Sequence, residues 1–388
     1  GHTIYVTGQR FAFHLCPSGI LYEKTIAVIG NGTVVHMPTL LQEIDMLNTA
    51  KIPCPEKRIF ISDRCHLVLD IHMAADGLIE GQRASTGQQI GTTKKGIGPC
   101  YSDKASRTGV RAGDLLRFDQ CFVPKVRSLI ASYNSRFPTL NYDAEAEIKK
   151  YRDMLPRISG MIADTLEIVH TAFKQGKTML AEGANALFLD IDFGTYPYVT
   201  SSHPGSGGAC VGLGIPPTKI TRIIGVVKAY TTRVGQGPFP TELTPDHPVG
   251  AHLQKVGKEV GTTTGRARRC GWLDLVLLRF SNNINGFTEL NLTKLDILTG
   301  INPIRVAVEY THKGKTLHSF PASLDDLAEV EVTWKEFPGW TEDISKCRKL
   351  EDLPKNCRDY VLMIQSDLGV PIKSIGVGAD RDDMIFLQ

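Results

Sequence analysis

Four segments of this sequence carry residue types whose spacing suits chemistry, three of them on nucleotides or other anionic ligands and one on a metal. Thr293-Lys-Leu-Asp296 follows an apolar run, and a carboxylate there accepts two hydrogen bonds from the ring N–H and exocyclic amine of a guanine edge. The stem of Lys294 suits the face of a base while its charged head stays in water. Gly261-Thr-Thr-Thr-Gly-Arg-Ala-Arg-Arg269 sets hydroxyls and backbone N–H groups in a glycine-bounded loop, which suits a carboxylate or phosphate. Arg266 and Arg268 stand two positions apart, and each could grip a different anion with bidentate geometry. Gln89 to Pro99 mixes glycines, hydroxyls and two lysines, as loops that can wrap phosphates do, but the Walker A spacing fails and the stretch alone reads as a plain flexible loop. Asp190 and Asp192 could form a metal pair; the favoured reading is that they point the same way off a strand and order a turn. His2 is a general-acid candidate because its side chain titrates near neutrality.

Each segment also has a plain reading: a solvated turn, an exposed basic loop, a frayed terminal histidine. What would position them is an alternation of short apolar runs with helical patterns. Thr25 to Ile29, Arg58 to Ser62, Thr178 to Ala181, Ile223 to Lys228 and Glu289 to Leu292 read as strands. Gly30 to Gly32 breaks the first of them, and Pro38 opens a helix to about Ala50. Apolar residues at 158, 162, 166, 169 and 173 predict one helix from Ile158 to Phe173, stopped by Gly176. The pattern is α/β, a mostly parallel sheet covered by helices on both faces, with long substrate-binding loops. Residues 87–103, 200–217 and 259–271 are those loops.

The bulk properties narrow the classes. A net charge of +3 over 388 residues is too weak to argue for nucleic acid. Nine cysteines, an odd number with no C-x-x-C pair, argue against a disulfide framework and a zinc site, and fit a reducing cytoplasm. No apolar run reaches the roughly 20 residues a membrane helix needs.

Taken together, Gly1 to Thr3, Ile90 to Tyr101, Lys104 to Arg107, Glu182 to Asn185, Asp190 to Ser202, Thr232 to Leu243, Gly261 to Asp274 and Leu292 to Asp296 resemble adenylosuccinate synthetase, in the same order and over essentially the whole chain. The resemblance implies one synthetase domain over residues 1–388, P-loop-NTPase-like in outline. It implies GTP-dependent ligation of L-aspartate to IMP, through a 6-phosphoryl-IMP intermediate, with Mg²⁺. IMP would be held by Gly1, His2, Thr93, Arg107, Asn185, Thr200 and Arg266, with His2 and Asn185 catalytic. Aspartate would be held by Thr262, Thr263, Thr264, Gly265, Arg266, Ala267 and Arg268. GTP would meet Gly1, His2, Thr3, Arg268, Lys294, Leu295, Asp296, Gly376, Val377 and Gly378, and the Gly1 carbonyl would ligate the metal. Arg107 would reach the IMP site of a neighbouring subunit, which implies a homodimer.

The family's Gly-Asp-Glu-Gly-Lys-Gly element, whose aspartate is base and magnesium ligand, does not occur among the 388 residues. With the abrupt start at Gly1, the element is expected upstream, and without it these 388 residues are expected not to catalyse the reaction. Two other classes stay open on sequence: a catalytically inactive GTP- or IMP-binding relative, and a nucleic-acid-associated protein, against which the near-neutral charge and lack of interleaved aromatic and basic residues count.

Overall fold

In the computed structural model, residues 2–6, 8–261 and 265–387 are described. Two compact units emerge: Gly1–Ile4 with Phe11–Lys219, and Tyr5–Arg10 with Ile220–Gln388.

The first unit is built on a parallel sheet of Ala27–Ile29, Ile59–Ser62 and Ile162–Ala163. β-Branched residues dominate these strands because the pleat accommodates them well, and Ile29, Ile59 and Ile61 are buried. The helix predicted from Pro38 is found at Met37–Thr49, with proline in its first turn. It buries Leu40, Leu41, Ile44 and Leu47, which recur at helical spacing. The turn after Ile29 is glycine for a packing reason. Gly32 N–H donates to the Gly212 carbonyl at 3.0 Å, and a Cβ at Gly32 would stand 2.4 Å from Gly212 Cα.

Two expectations fail in this unit. The single helix from Ile158 to Phe173 is instead the end of Ala144–Ile158, a 3₁₀ turn, the strand Ile162–Ala163 and a new helix, Thr165–Lys174. Asp164 starts the second helix by accepting the Leu166 N–H at 3.0 Å. The apolar period ran through the break because Ile158 and Ile162 are both buried in either element. Thr178 to Ala181 forms no strand. No described neighbour pairs with it, and Leu180 is 83% exposed.

The second unit carries a four-stranded sheet. Ile224–Lys228, Glu289–Thr293 and Ile372–Gly376 run parallel, and Met384–Phe386 adds an antiparallel edge. Along Glu289–Thr293 every second residue points into the core, where Leu290 and Leu292 share one buried cluster with Tyr360, Val361 and Ile364 of the helix Lys355–Leu368. A second sheet pairs the long strand Ile304–His312 with Glu331–Phe337. A third holds Thr231–Arg233, Arg269–Gly271 and Glu242–Leu243. Among the described residues no helix is long and apolar enough to cross a membrane.

Candidate active site

The strand Glu289–Thr293 delivers Lys294 and Asp296 at its carboxyl end, where ligands of parallel α/β sheets bind. Lys294 takes a left-handed conformation, φ 59°, which stops the strand and starts the 3₁₀ turn Leu295–Leu298. Leu295 and Leu298 are fully buried in the core and fix that turn, so Asp296 is aimed rather than free to swing. Asp296 Oδ1 is buried and has no hydrogen-bond partner. Burial is the largest influence on its carboxyl and holds it above the usual carboxylate range, against backbone hydrogen bonds at Asp296 and Ile297 and the Lys294 charge. The Gly376 segment belongs to the same place. A side chain at Gly376 would stand 3.5 Å from Thr293 Cα and 3.7 Å from Lys294 N. Val377 is buried, and its N–H donates to the Asp383 carbonyl at 2.9 Å. The structure therefore brings Lys294, Leu295, Asp296 and the Gly376 turn together.

The arginine loop closes as a hairpin. Val260 bridges Ala267 antiparallel, Gly261 N–H donates to the Arg266 carbonyl at 2.8 Å, and Gly265 N–H to the Gly261 carbonyl at 2.9 Å. Gly265 has φ +65°, which a β-carbon would resist. Gly265, Arg266 and Ala267 are exposed, whereas Arg268 is drawn in. Its guanidinium donates to Glu259 Oε2 at 2.8 Å. Sequence reasoning missed Glu259 and Lys228. Glu259 is fully buried, and its carboxylate also meets Lys228 Nζ at 2.9 Å, Lys294 Nζ at 3.0 Å and the Tyr230 hydroxyl at 2.7 Å. Burial pushes its carboxyl up, but the Lys228 charge and the hydrogen bonds from Arg268, Lys228 and Tyr230 outweigh it and hold the group at about 2.

In the first unit, the glycine- and lysine-rich loop is held from below by the helix Asp70–Ser85. Glu80 Oε1 accepts the N–H groups of Gly91 and Thr92 at 2.5 and 3.2 Å, and Asp76 Oδ2 accepts the Gly96 N–H at 3.0 Å. The two carboxylates lie four apart, on one helix face. Both were missed because acidic residues on a helix ordinarily read as its solvated side. They leave Thr93 exposed at the loop's crest. The loop runs into the helix Ile97–Ser106, which ends at Arg107, exposed with φ 65°. A side chain at Gly98 would stand 3.7 Å from Ser201 Oγ, so the Thr93 and Thr200 loops approach each other there. Thr200 N–H donates to the Leu189 carbonyl at 2.8 Å. Asn185 is exposed, with φ 68°.

His2 opens the strand His2–Val6, which also carries Thr3. Its Nε2 stands 3.6 Å from Glu182 Oε1, too long for a hydrogen bond, and its ring is 5.8 Å from that of Phe13. Burial is the largest influence on the imidazole and holds it below its usual range, while the Glu182 carboxylate pulls it up. Gly1, Thr262, Thr263 and Thr264 lie outside the described residues.

Asp190, Asp192 and His203 make the one three-ligand group among the described residues. Asp190 follows a 3₁₀ turn rather than a strand, which corrects the expected strand. Its Oδ1 accepts the N–H groups of Asp192 and Phe193 at 2.9 and 3.2 Å, the turn-ordering role that was expected. That oxygen is spent on backbone and faces His203 Nδ1 at 3.4 Å. One imidazole, one committed carboxylate and one exposed carboxylate fall short of the six oxygens a hard cation takes, so no metal chemistry is derived from this group.

Parallel strands, loops pinned by buried carboxylates, and an unpaired acid at a strand end fit the class of α/β nucleotide-binding proteins. The family model of adenylosuccinate synthetase matches residues 1–385. An adenylosuccinate synthetase of Phytophthora infestans is 54% identical over 385 residues, spanning 99% of this chain and 69% of that protein. One of Ostreococcus tauri, named chloroplastic, is 51% identical over 100% of this chain and 80% of its own. The solved structure of fully ligated adenylosuccinate synthetase from Plasmodium falciparum matches with a TM-score of 0.96 and 42% identity, covering 100% of this chain and 91% of that one. The chain belongs to the adenylosuccinate synthetase family. It is a GTP-dependent ligase of purine nucleotide synthesis that joins L-aspartate to IMP, and IMP, GTP and aspartate are its substrates.

Proposed function

We propose that the residues named above divide the work of that ligation as follows, with the chain from 1 to 388 serving one activity. Asp296 accepts both donors of the guanine edge, Lys294 supports the base face, and Leu295 with Gly376, Val377 and Gly378 closes around it. The observation that carries this reading is the buried, unpartnered Asp296 Oδ1. An uncompensated buried acceptor costs about 1–3 kcal/mol, and a guanine N–H supplies the missing donor. Arg268 and the segment Gly1 to Thr3 serve the phosphates of GTP.

IMP is held by Gly1, His2, Thr93, Arg107, Asn185, Thr200 and Arg266, and aspartate by residues 262–268. The 6-oxygen of IMP is a poor leaving group. Transfer of the γ-phosphoryl group makes it a good one, and the aspartate amine displaces phosphate. His2 and Asn185 are the catalytic pair: Asn185 holds the hypoxanthine near its 6-oxygen and His2 meets the transferring phosphoryl group. Such a transfer gains most from positioning and from donors aimed at developing charge. Burial is the largest influence on the His2 imidazole and favours its neutral form, against the pull of the Glu182 carboxylate.

Mg²⁺ accompanies GTP in this reading, with the Gly1 carbonyl as its ligand from this chain. Arg107, exposed at a helix end, serves the IMP site of a second copy in a homodimer. The compartment is the cytoplasm, a reading supported by nine unpaired thiols. The test is Asp296→Asn with GTP and xanthosine triphosphate compared as substrates. Asparagine turns one acceptor into a donor, so the preference should swing toward xanthosine triphosphate. An unchanged preference for GTP would sink the guanine assignment.

A further inference from the structure

We propose that Glu259 is a positioning residue that sets the GTP subsite by holding Arg268 and Lys294 in register with each other. The inference rests on the reading of Arg268 and Lys294 as GTP contacts.

Glu259 is fully buried, so it touches no ligand itself. Its two oxygens take five hydrogen bonds or ion pairs from four groups: Lys228 on both oxygens, Arg268 on Oε2, Lys294 and Tyr230 on Oε1. That occupies the lone pairs a carboxylate offers. The side chains of the three cations remain 28% (Lys228), 28% (Arg268) and 33% (Lys294) exposed. Three cations meet one carboxylate, so the cluster keeps a positive excess while its only anion is shielded from water. Such an excess suits an anionic nucleotide and repels nothing the reaction needs.

Geometry gives the cluster its direction. Glu259 also works through its backbone, because its carbonyl accepts the Arg268 N–H at 2.8 Å at the neck of the arginine loop. Lys294 is fixed a second time by donating to the Gly257 carbonyl. One residue thus ties the neck of the loop to the end of the strand Glu289–Thr293. Without its charge, three mutually repelling cations would share one small volume, and Arg268 and Lys294 would spread.

The experiment is steady-state kinetics of Glu259→Gln and Glu259→Asp, with KM measured separately for GTP and IMP. The expected result for Glu259→Gln is a KM for GTP raised at least tenfold and a KM for IMP within twofold of the parent. Glu259→Asp, which keeps the charge on a shorter arm, should show the same split at a smaller size. A merely structural role would move both constants or neither, and either outcome overturns the proposal. Should Glu259→Gln not fold, Glu259→Asp decides, and unchanged constants in it overturn the proposal too. Lys294→Ala run alongside separates the two readings. If it leaves the KM for GTP unchanged, the GTP reading itself has failed; if it raises that KM while Glu259→Gln does not, only the positioning role has failed.

Discussion

Lys294 and Asp296 stand two residues apart, yet the Lys294 ammonium is paired and one Asp296 oxygen is not. The Lys294 ammonium lies 3.0 Å from the buried Glu259 carboxylate, while Asp296 Oδ1 is buried without a partner. A rigid turn with one unsatisfied acceptor is prepared for a ligand that brings donors. Asp296→Ala should therefore weaken GDP binding about 10–100-fold, the value of a hydrogen bond to a charged group, ~1.5–3 kcal/mol. Titration calorimetry measures it, and an affinity within twofold of the parent would refute the role.

Arg266 is exposed while Arg268 is drawn into the Glu259 cluster. Their duties should separate. Arg266→Ala should raise the KM for aspartate about 10–100-fold, because a carboxylate loses a charge-assisted partner worth ~1.5–3 kcal/mol. The KM for GTP should change far less. Equal effects on both substrates would mean the loop acts as a single unit.

The loop that carries Thr93 hangs on Asp76 and Glu80. Replacing either by its amide weakens charge-assisted bonds to backbone N–H groups, each worth about 1.5–3 kcal/mol. Asp76→Asn should raise the KM for IMP severalfold and leave the KM for GTP alone. Thermal unfolding run in parallel identifies a general loss of stability, which would show in both constants.

Glu259 gives stability a pH signature. Its carboxyl sits at about 2 in the folded chain against an ordinary 4.5, so the unfolded state takes up its proton first as pH falls. The stabilisation is fully present above about pH 4.5 and is lost as pH falls toward 2. Glu259→Gln should lower stability near pH 7 by about 3 kcal/mol, as breaking a buried ion pair does, and should flatten that acid slope. Denaturant melts across the range check it. A parallel offset with the slope retained would place the titration elsewhere.

Much of this site was legible in the sequence because its residues are local. Lys294 and Asp296 lie on one short turn after an alternating strand, and the glycines at 261 and 265 mark their own loop. Glu259, Lys228, Asp76 and Glu80 were not legible. Each acts by reaching a backbone group or an opposite charge brought close by tertiary packing, and its residue type alone reads as a solvated charge. The same limit explains the secondary-structure failures. Ile158 to Phe173 kept a helical period across a chain break that Asp164 imposes by capping, and Thr178 to Ala181 had strand composition without a partner strand to pair with.

The most direct test of the central claim is adenylosuccinate formation by the purified protein from IMP, aspartate and Mg²⁺, with GTP against ATP. The account predicts product that depends on GTP, with ATP a poor substitute because adenine offers Asp296 no adjacent pair of donors. Equal product with ATP would contradict it.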